Sequence, residues 1–99
     1  MNKFIGKVGD ISEKKIIQRA LKDDIIKIIL EVTSDADETV FFEVRDACIK
    51  LLETNNIKTG DYIEVRYLFK GSKNGTVQYN NIVVSDIKLI LDPKTRAEV

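Results

Sequence analysis

Apolar and polar residues alternate with a period of two along most of this chain, and the pattern turns helical only briefly. Ile25–Thr33 is the clearest stretch. Ile26, Ile28, Leu30 and Val32 fall on one side, and Ile25, Lys27, Ile29 and Glu31 on the other, as in a β-strand. Its β-branched residues favour strand over helix. Lys3–Ile11 alternates as well, with Gly6 and Gly9 predicting a bend or bulge. Thr39–Arg45 directs Phe42 and Val44 inward and Phe41, Glu43 and Arg45 outward. Asp61–Lys70 directs Ile63, Val65, Tyr67 and Phe69 inward and Tyr62, Glu64, Arg66, Leu68 and Lys70 outward. In the last run, Val77–Leu91, Ile82 and Val84 share one parity while Ile87, Leu89 and Leu91 take the other. One slip reconciles them, so a β-bulge is predicted near Ser85-Asp86.

Between these runs lie turn signals and one helix. Ser34–Glu38 is polar and acidic, which reads as a turn. Asp46 is placed to cap a helix running to about Thr54, burying Ala47 and Leu51 with Cys48 and Leu52 alongside. Gly71–Gly75 contains Asn-Gly and predicts a hairpin loop. Ser12–Asp24 has two readings. It is a short helix capped by Ser12, with Ile16, Ile17, Ala20 and Leu21 at helical spacing, or a long arm between strands. Asp92-Pro93 stops the last strand, because proline cannot donate to a ladder. The resulting order is strand–strand–strand–helix–strand–strand. In a chain of 99 residues this predicts an all-β domain with one short helix, a five-stranded OB-type Greek-key barrel over residues 1–92 with a frayed tail at 93–99. An SH3-like barrel, the rival, does not normally carry a two-turn helix between its third and fourth strands.

Several of these stretches together resemble a known family. Gly6-Lys7, Ile11-Ser12-Glu13, Ile28–Val32, Phe42-Glu43-Val44, Ile57–Asp61, the Ile63-x-Val65-x-Tyr67-x-Phe69-x-Gly71 run, Asn74-Gly75 and Tyr79–Ile82 occur in order. The series looks like a small bacterial family of uncharacterised OB-fold domains, similar to single-stranded-DNA-binding proteins. The resemblance covers nearly the whole chain. It implies the OB fold, favours the arm reading of Ser12–Asp24, and implies single-strand binding in a setting such as DNA replication or repair.

Composition narrows the chemistry. The chain has no histidine and a single cysteine, Cys48. The commonest general base and metal ligand is therefore missing, and no disulfide within the chain can form. Cys48 reads as a small apolar filler beside Ile49 and Leu51. The acidic cluster Asp35, Asp37, Glu38 lacks the spacing and glycine of a calcium loop, and reads as a solvated turn. No enzyme activity, metal or cofactor is expected. The first residues carry no apolar secretory core, and no run is long enough to span a bilayer, so a reducing cytoplasm is the expected location.

Sixteen basic residues balance sixteen acidic ones, so any attraction for a polyanion must come from local arrangement. Residues 1–27 carry seven cations against four carboxylates, and residues 31–53 carry seven carboxylates against Arg45 and Lys50. The basic surplus falls on the first connection (Lys14, Lys15, Arg19, Lys22) with Lys27, and on the last hairpin (Lys70, Lys73). In an OB barrel these flank the binding groove. Outward Phe41 and Tyr62, with Tyr79 at the hairpin, are candidate stacking platforms, each worth roughly 1–3 kcal/mol per base. An outward Phe41 calls for a cover, which is a base, a second subunit or the Ser12–Asp24 arm. Arg45 and Arg66 complete the candidate site, although Glu43 and Glu64 stand close enough to pair with them. The expected partner is single-stranded DNA, with RNA left open. The alternative is an OB domain serving protein–protein assembly. Self-association fits either reading, because Ile25, Ile29, Phe41 and Leu68 are apolar and outward.

Overall fold

The computed structural model describes residues 2–19 and 21–90; the expected tail at 93–99 lies outside them. The elements are β1 (Asn2–Ile11), β2 (Lys15–Ile17), β3 (Ile25–Thr33), β4 (Thr39–Arg45), a 3-10 turn (Asp46–Cys48) running into α1 (Ile49–Thr54), β5 (Tyr62–Asn74) and β6 (Val77–Leu89). Pairing runs β1-β5-β6-β4-β3, and β1 also pairs with β3, which closes a five-stranded ring. All contacts around the ring are antiparallel except β4 with β6, which meet in parallel at Glu43 and Val83. This is the OB barrel. No described helix is long and apolar enough to cross a membrane.

Closure depends on β1 changing partner. Asn2–Lys7 pairs with β5, and Lys7–Ile11 pairs with β3 across a register shift between Val8 and Ile11. At the crossover the β3 backbone passes so close that a Cβ on Gly6 would run into the carbonyl of Thr33. Inside the ring, Leu30, Val32, Phe42, Val44, Ile63 and Val65 are fully buried. Ile49 and Leu52 of α1, with Ile57 after it, plug one end. Asp46 does not cap this helix as expected. It adopts φ 46°, and its Oδ1 accepts a hydrogen bond from Ile26 N at 3.1 Å, so it ties the helix start to β3. Ala47, expected to be buried, is exposed, and Ile49 takes the core position.

The bulge expected near Ser85-Asp86 is present. Arg66 pairs with Asp86 and Tyr67 with Val84, leaving Ser85 as the extra residue; its hydroxyl donates to Arg66 O at 3.1 Å. The hairpin turn is tighter than the sequence suggested. Pairing runs out to Asn74 and Val77, with Gly75 at φ 63°. β1 accompanies β5 only as far as Tyr67, so the rest of the hairpin projects from the barrel and contributes to a molecule 53 Å long and 26 Å across.

Several side chains depart from their parity; Ile26 and Leu89, which share a side with core residues, are 41% and 53% exposed, and Tyr62 and Phe69 exchange the expected sides. Tyr62 is buried at 6% exposure, although its parity is outward. It sits opposite Lys7 where β1 changes partner, and its carbonyl receives Ile90 N. Phe69 has inward parity but is 62% exposed, because it lies beyond the barrel rim. It meets Tyr67 edge-on at 5.7 Å, extending a row from Phe4 through Phe42 and Tyr67. The Ser12–Asp24 segment is an arm. Among its described residues the one regular piece, β2, pairs with the start of β3, and Ser12 Oγ accepts Ile29 N at 2.8 Å where a helix cap was one reading.

Gly6→Ala is expected to destabilise the fold by about 1–3 kcal/mol, the usual cost of forcing extra volume into a packed contact. Urea unfolding followed by circular dichroism measures this; an unchanged midpoint would show that the crossover tolerates a side chain.

Candidate nucleic-acid interface

The arm after β2, the outer face of β3 and β4, and the projecting hairpin enclose one open trough of about 600 Å³. It forms because β3 and β4 pair so that Lys27 lies opposite Arg45, while β6 meets β4 at Glu43 and swings the hairpin over the same face. Arg19 and Lys22 come from the arm, Lys27 from β3, Arg45 from β4, and Lys70 and Lys73 from the hairpin. Half of the residues singled out from sequence thus meet in one depression. Arg19 Nε donates to Asp23 O at 2.7 Å, which holds the arm in its bend. Among the described residues no ion pair engages Lys22, Lys70 or Lys73.

The floor is arranged differently. Glu43 is the buried charged residue of the described chain, 8% exposed. Its Oε1 accepts from Lys27 Nζ at 2.7 Å and its Oε2 from Arg45 Nη2 at 2.8 Å. Burial by itself raises the Glu43 pKa, but hydrogen bonds and charge from Lys27 and Arg45 outweigh it, and the carboxyl titrates below its ordinary range. Glu43 therefore stays ionised at neutral pH and cancels part of the floor's positive charge. Arg45 Nε is buried without a hydrogen-bond partner.

The other candidates lie elsewhere. Lys15 pairs in register with Lys27, on the same face of β2 as Ile17, which lines the trough. Lys14 points to Glu53 of α1 at 3.9 Å. Arg66 is on the barrel wall shared with β1, 3.8 Å from Glu64, outside the trough. Tyr79 is 48% exposed and lines a smaller hollow with Ser72 and Lys73, next to the trough. Tyr62 is buried and offers no face to a base. Phe41 is 58% exposed, but its groove is rimmed by Asp10, Glu13 and Glu31. Three carboxylates repel a phosphate chain, so Phe41 is poorly placed to stack a base.

Sequence reasoning missed the trough's apolar and neutral lining: Ile17, Leu21, Ile25, Ser72 and Asn81. Leu21 is 98% exposed. The outward parity of Ile25 was the one signal available; the others depend on how the arm and hairpin fold over the sheet.

No protein-family model matches the sequence, and no curated protein matches it. Solved structures do. The dimeric N-terminal domain of PriB protein from Thermoanaerobacter tencongensis superposes with a TM-score of 0.53 at 14% identity, over 92% of this chain and 96% of that one. An SSB from Plasmodium falciparum in complex with ssDNA gives 0.41 at 19% identity, over 92% and 93% of the two chains. The first likeness agrees with the barrel described above. The second is too loose a superposition to bear on fold or site.

Glu43 makes stability depend on pH. Its folded pKa lies below the unfolded value, so its contribution is complete above the unfolded pKa and lost as pH falls through the folded one. Glu43→Gln is expected to cost about 1.5–3 kcal/mol at neutral pH, the worth of hydrogen bonds to a charged group. It should also flatten the acid limb of the stability profile. Parallel profiles for wild type and variant under acid titration would instead show that the triad adds nothing to the fold.

Proposed function

We propose that this protein binds single-stranded nucleic acid, DNA foremost, along the trough between the arm and the hairpin. The observation that carries the reading is the convergence of Arg19 and Lys22 on one bank with Lys70 and Lys73 on the other, in a chain with no net charge. With sixteen cations and sixteen carboxylates to distribute, six cations against one carboxylate in a single depression is a strong local departure from neutrality. Open troughs of this kind on OB barrels hold the backbone of a single strand by charge, without reading its sequence.

Self-association is a second property we propose, favoured by Phe41. An exposed aromatic in an acid-rimmed groove suits a protein contact better than a base, and the PriB domain that shares the fold is described as dimeric. Light scattering on the wild type and on Phe41→Asp tests this: a single monomeric mass across concentrations removes it.

Fluorescence anisotropy with labelled oligothymidine tests the main reading. With five net positive charges neutralising phosphates, the logarithm of affinity should fall against log salt with a slope of about −3.5, roughly a hundredfold between 50 and 200 mM. Lys70→Glu/Lys73→Glu should abolish most of the binding and flatten the slope, while Phe41→Ala should leave affinity within about twofold, since it removes no phosphate contact. Absence of binding at low salt refutes the proposal.

A further inference from the structure

The trough opens at one end into a recess of about 500 Å³, and the two share Arg19, Ile25, Arg45 and Lys70. The recess is lined by Ile25, Leu68 and Val83 from three strands and by Cys48 from the turn before α1. It is therefore a hollow of mixed lining, apolar at these side chains and polar at Arg19, Arg45, Lys70 and Ser85, together with the carboxylate of Asp46. We propose that this recess seats an unstacked nucleobase of the strand carried in the trough; the inference rests on the trough being a single-strand site.

Three observations lead there. First, no aromatic side chain is among the described residues lining either the trough or the recess. Phosphates have their partners on the banks, while the exposed ring of Tyr79 lies outside both, in the smaller hollow next to the trough. Second, a base out of water needs a flat or apolar surface, and an arginine plane serves as well as an aromatic one. Arg45 is held in place by Glu43 at 2.8 Å, and Arg19 by the carbonyl of Asp23 at 2.7 Å, so both planes are set before a ligand arrives. Third, Glu43 neutralises part of the charge on the floor between the recess and the banks. Phosphates are thus drawn to the uncompensated rim lysines, which leaves the bases turned inward. A small hollow that combines apolar side chains with a few placed polar groups suits a planar heterocycle. An apolar side chain from a protein would match Ile25, Leu68 and Val83 but not the polar part of the lining, where three cations outnumber Asp46.

Cys48 supplies the test, because it is the chain's single cysteine and lines the recess at intermediate exposure. The rate of its alkylation by N-ethylmaleimide is measured on the whole protein alone, with oligothymidine, and with an abasic phosphodiester of the same length. Anisotropy on the same samples reports how much of each ligand is bound. At about ten times the Kd of oligothymidine, alkylation should slow about tenfold, as occupancy requires. The abasic oligomer, bound to the same saturation, should leave the rate unchanged. Bound oligothymidine with unprotected Cys48 overturns the inference while leaving the trough intact, and so does equal protection by the abasic chain. Failure of oligothymidine to bind at all overturns both readings together.

Discussion

β1 has two partners, and the rest of the molecule depends on its passing from one to the other. The first half of the strand completes the β5 side of the sheet, and the second half completes the β3 side, with Lys7 in register with both Tyr62 and Thr33. A strand that continued straight along β5 would leave a sheet with two open edges. The ring forms because the chain at Gly6 carries no side chain to hold β3 away. Once closed, the barrel has an inner face that is fully apolar and an outer face on which β3 and β4 are fixed side by side. The candidate site is built on that outer face.

Charge is distributed over this face by strand position. Moving along β3 and β4, the pairs run from Lys27 opposite Arg45, through Ile29 opposite Glu43, to Glu31 opposite Phe41. One end is basic and faces the arm and hairpin. The other is acidic and holds the exposed aromatic ring. Glu43 stands between them and binds both basic neighbours. A carboxylate taken out of water needs such partners, and Lys27 and Arg45 in turn are kept on the floor instead of reaching freely for phosphate. The balance gives a trough whose banks attract an anion more strongly than its floor does.

The hairpin adds what the barrel alone lacks. β5 and β6 are each thirteen residues long, longer than any strand that flanks them. Beyond Tyr67 they are a two-stranded ribbon, which has little intrinsic stability in water. Its register is nevertheless well set by the pairs out to Asn74 and Val77, and the Ser85 bulge increases the local twist that directs it across the face.

The chain's period-two alternation was enough to determine the five barrel strands and most of the core, because Phe42, Val44, Ile63 and Val65 have no other side on which to be buried, and the break in that period located α1; β2 was not legible. The bulge was legible for the same reason: Ile82 and Ile87 cannot both face inward without one inserted residue. Local charge counts identified the arm and the hairpin as the basic connections. Tertiary structure decided the rest. Alternation says on which side of a strand a residue emerges, not whether something covers that side. Tyr62 therefore became buried at a strand crossover and Phe69 became exposed beyond the rim. Nor could sequence show that Lys14 would turn to Glu53, that Phe41 would be ringed by carboxylates from β1, β3 and the arm, or that Arg19 and Lys70 would meet. Those outcomes depend on distances between segments far apart in the chain, which only ring closure sets.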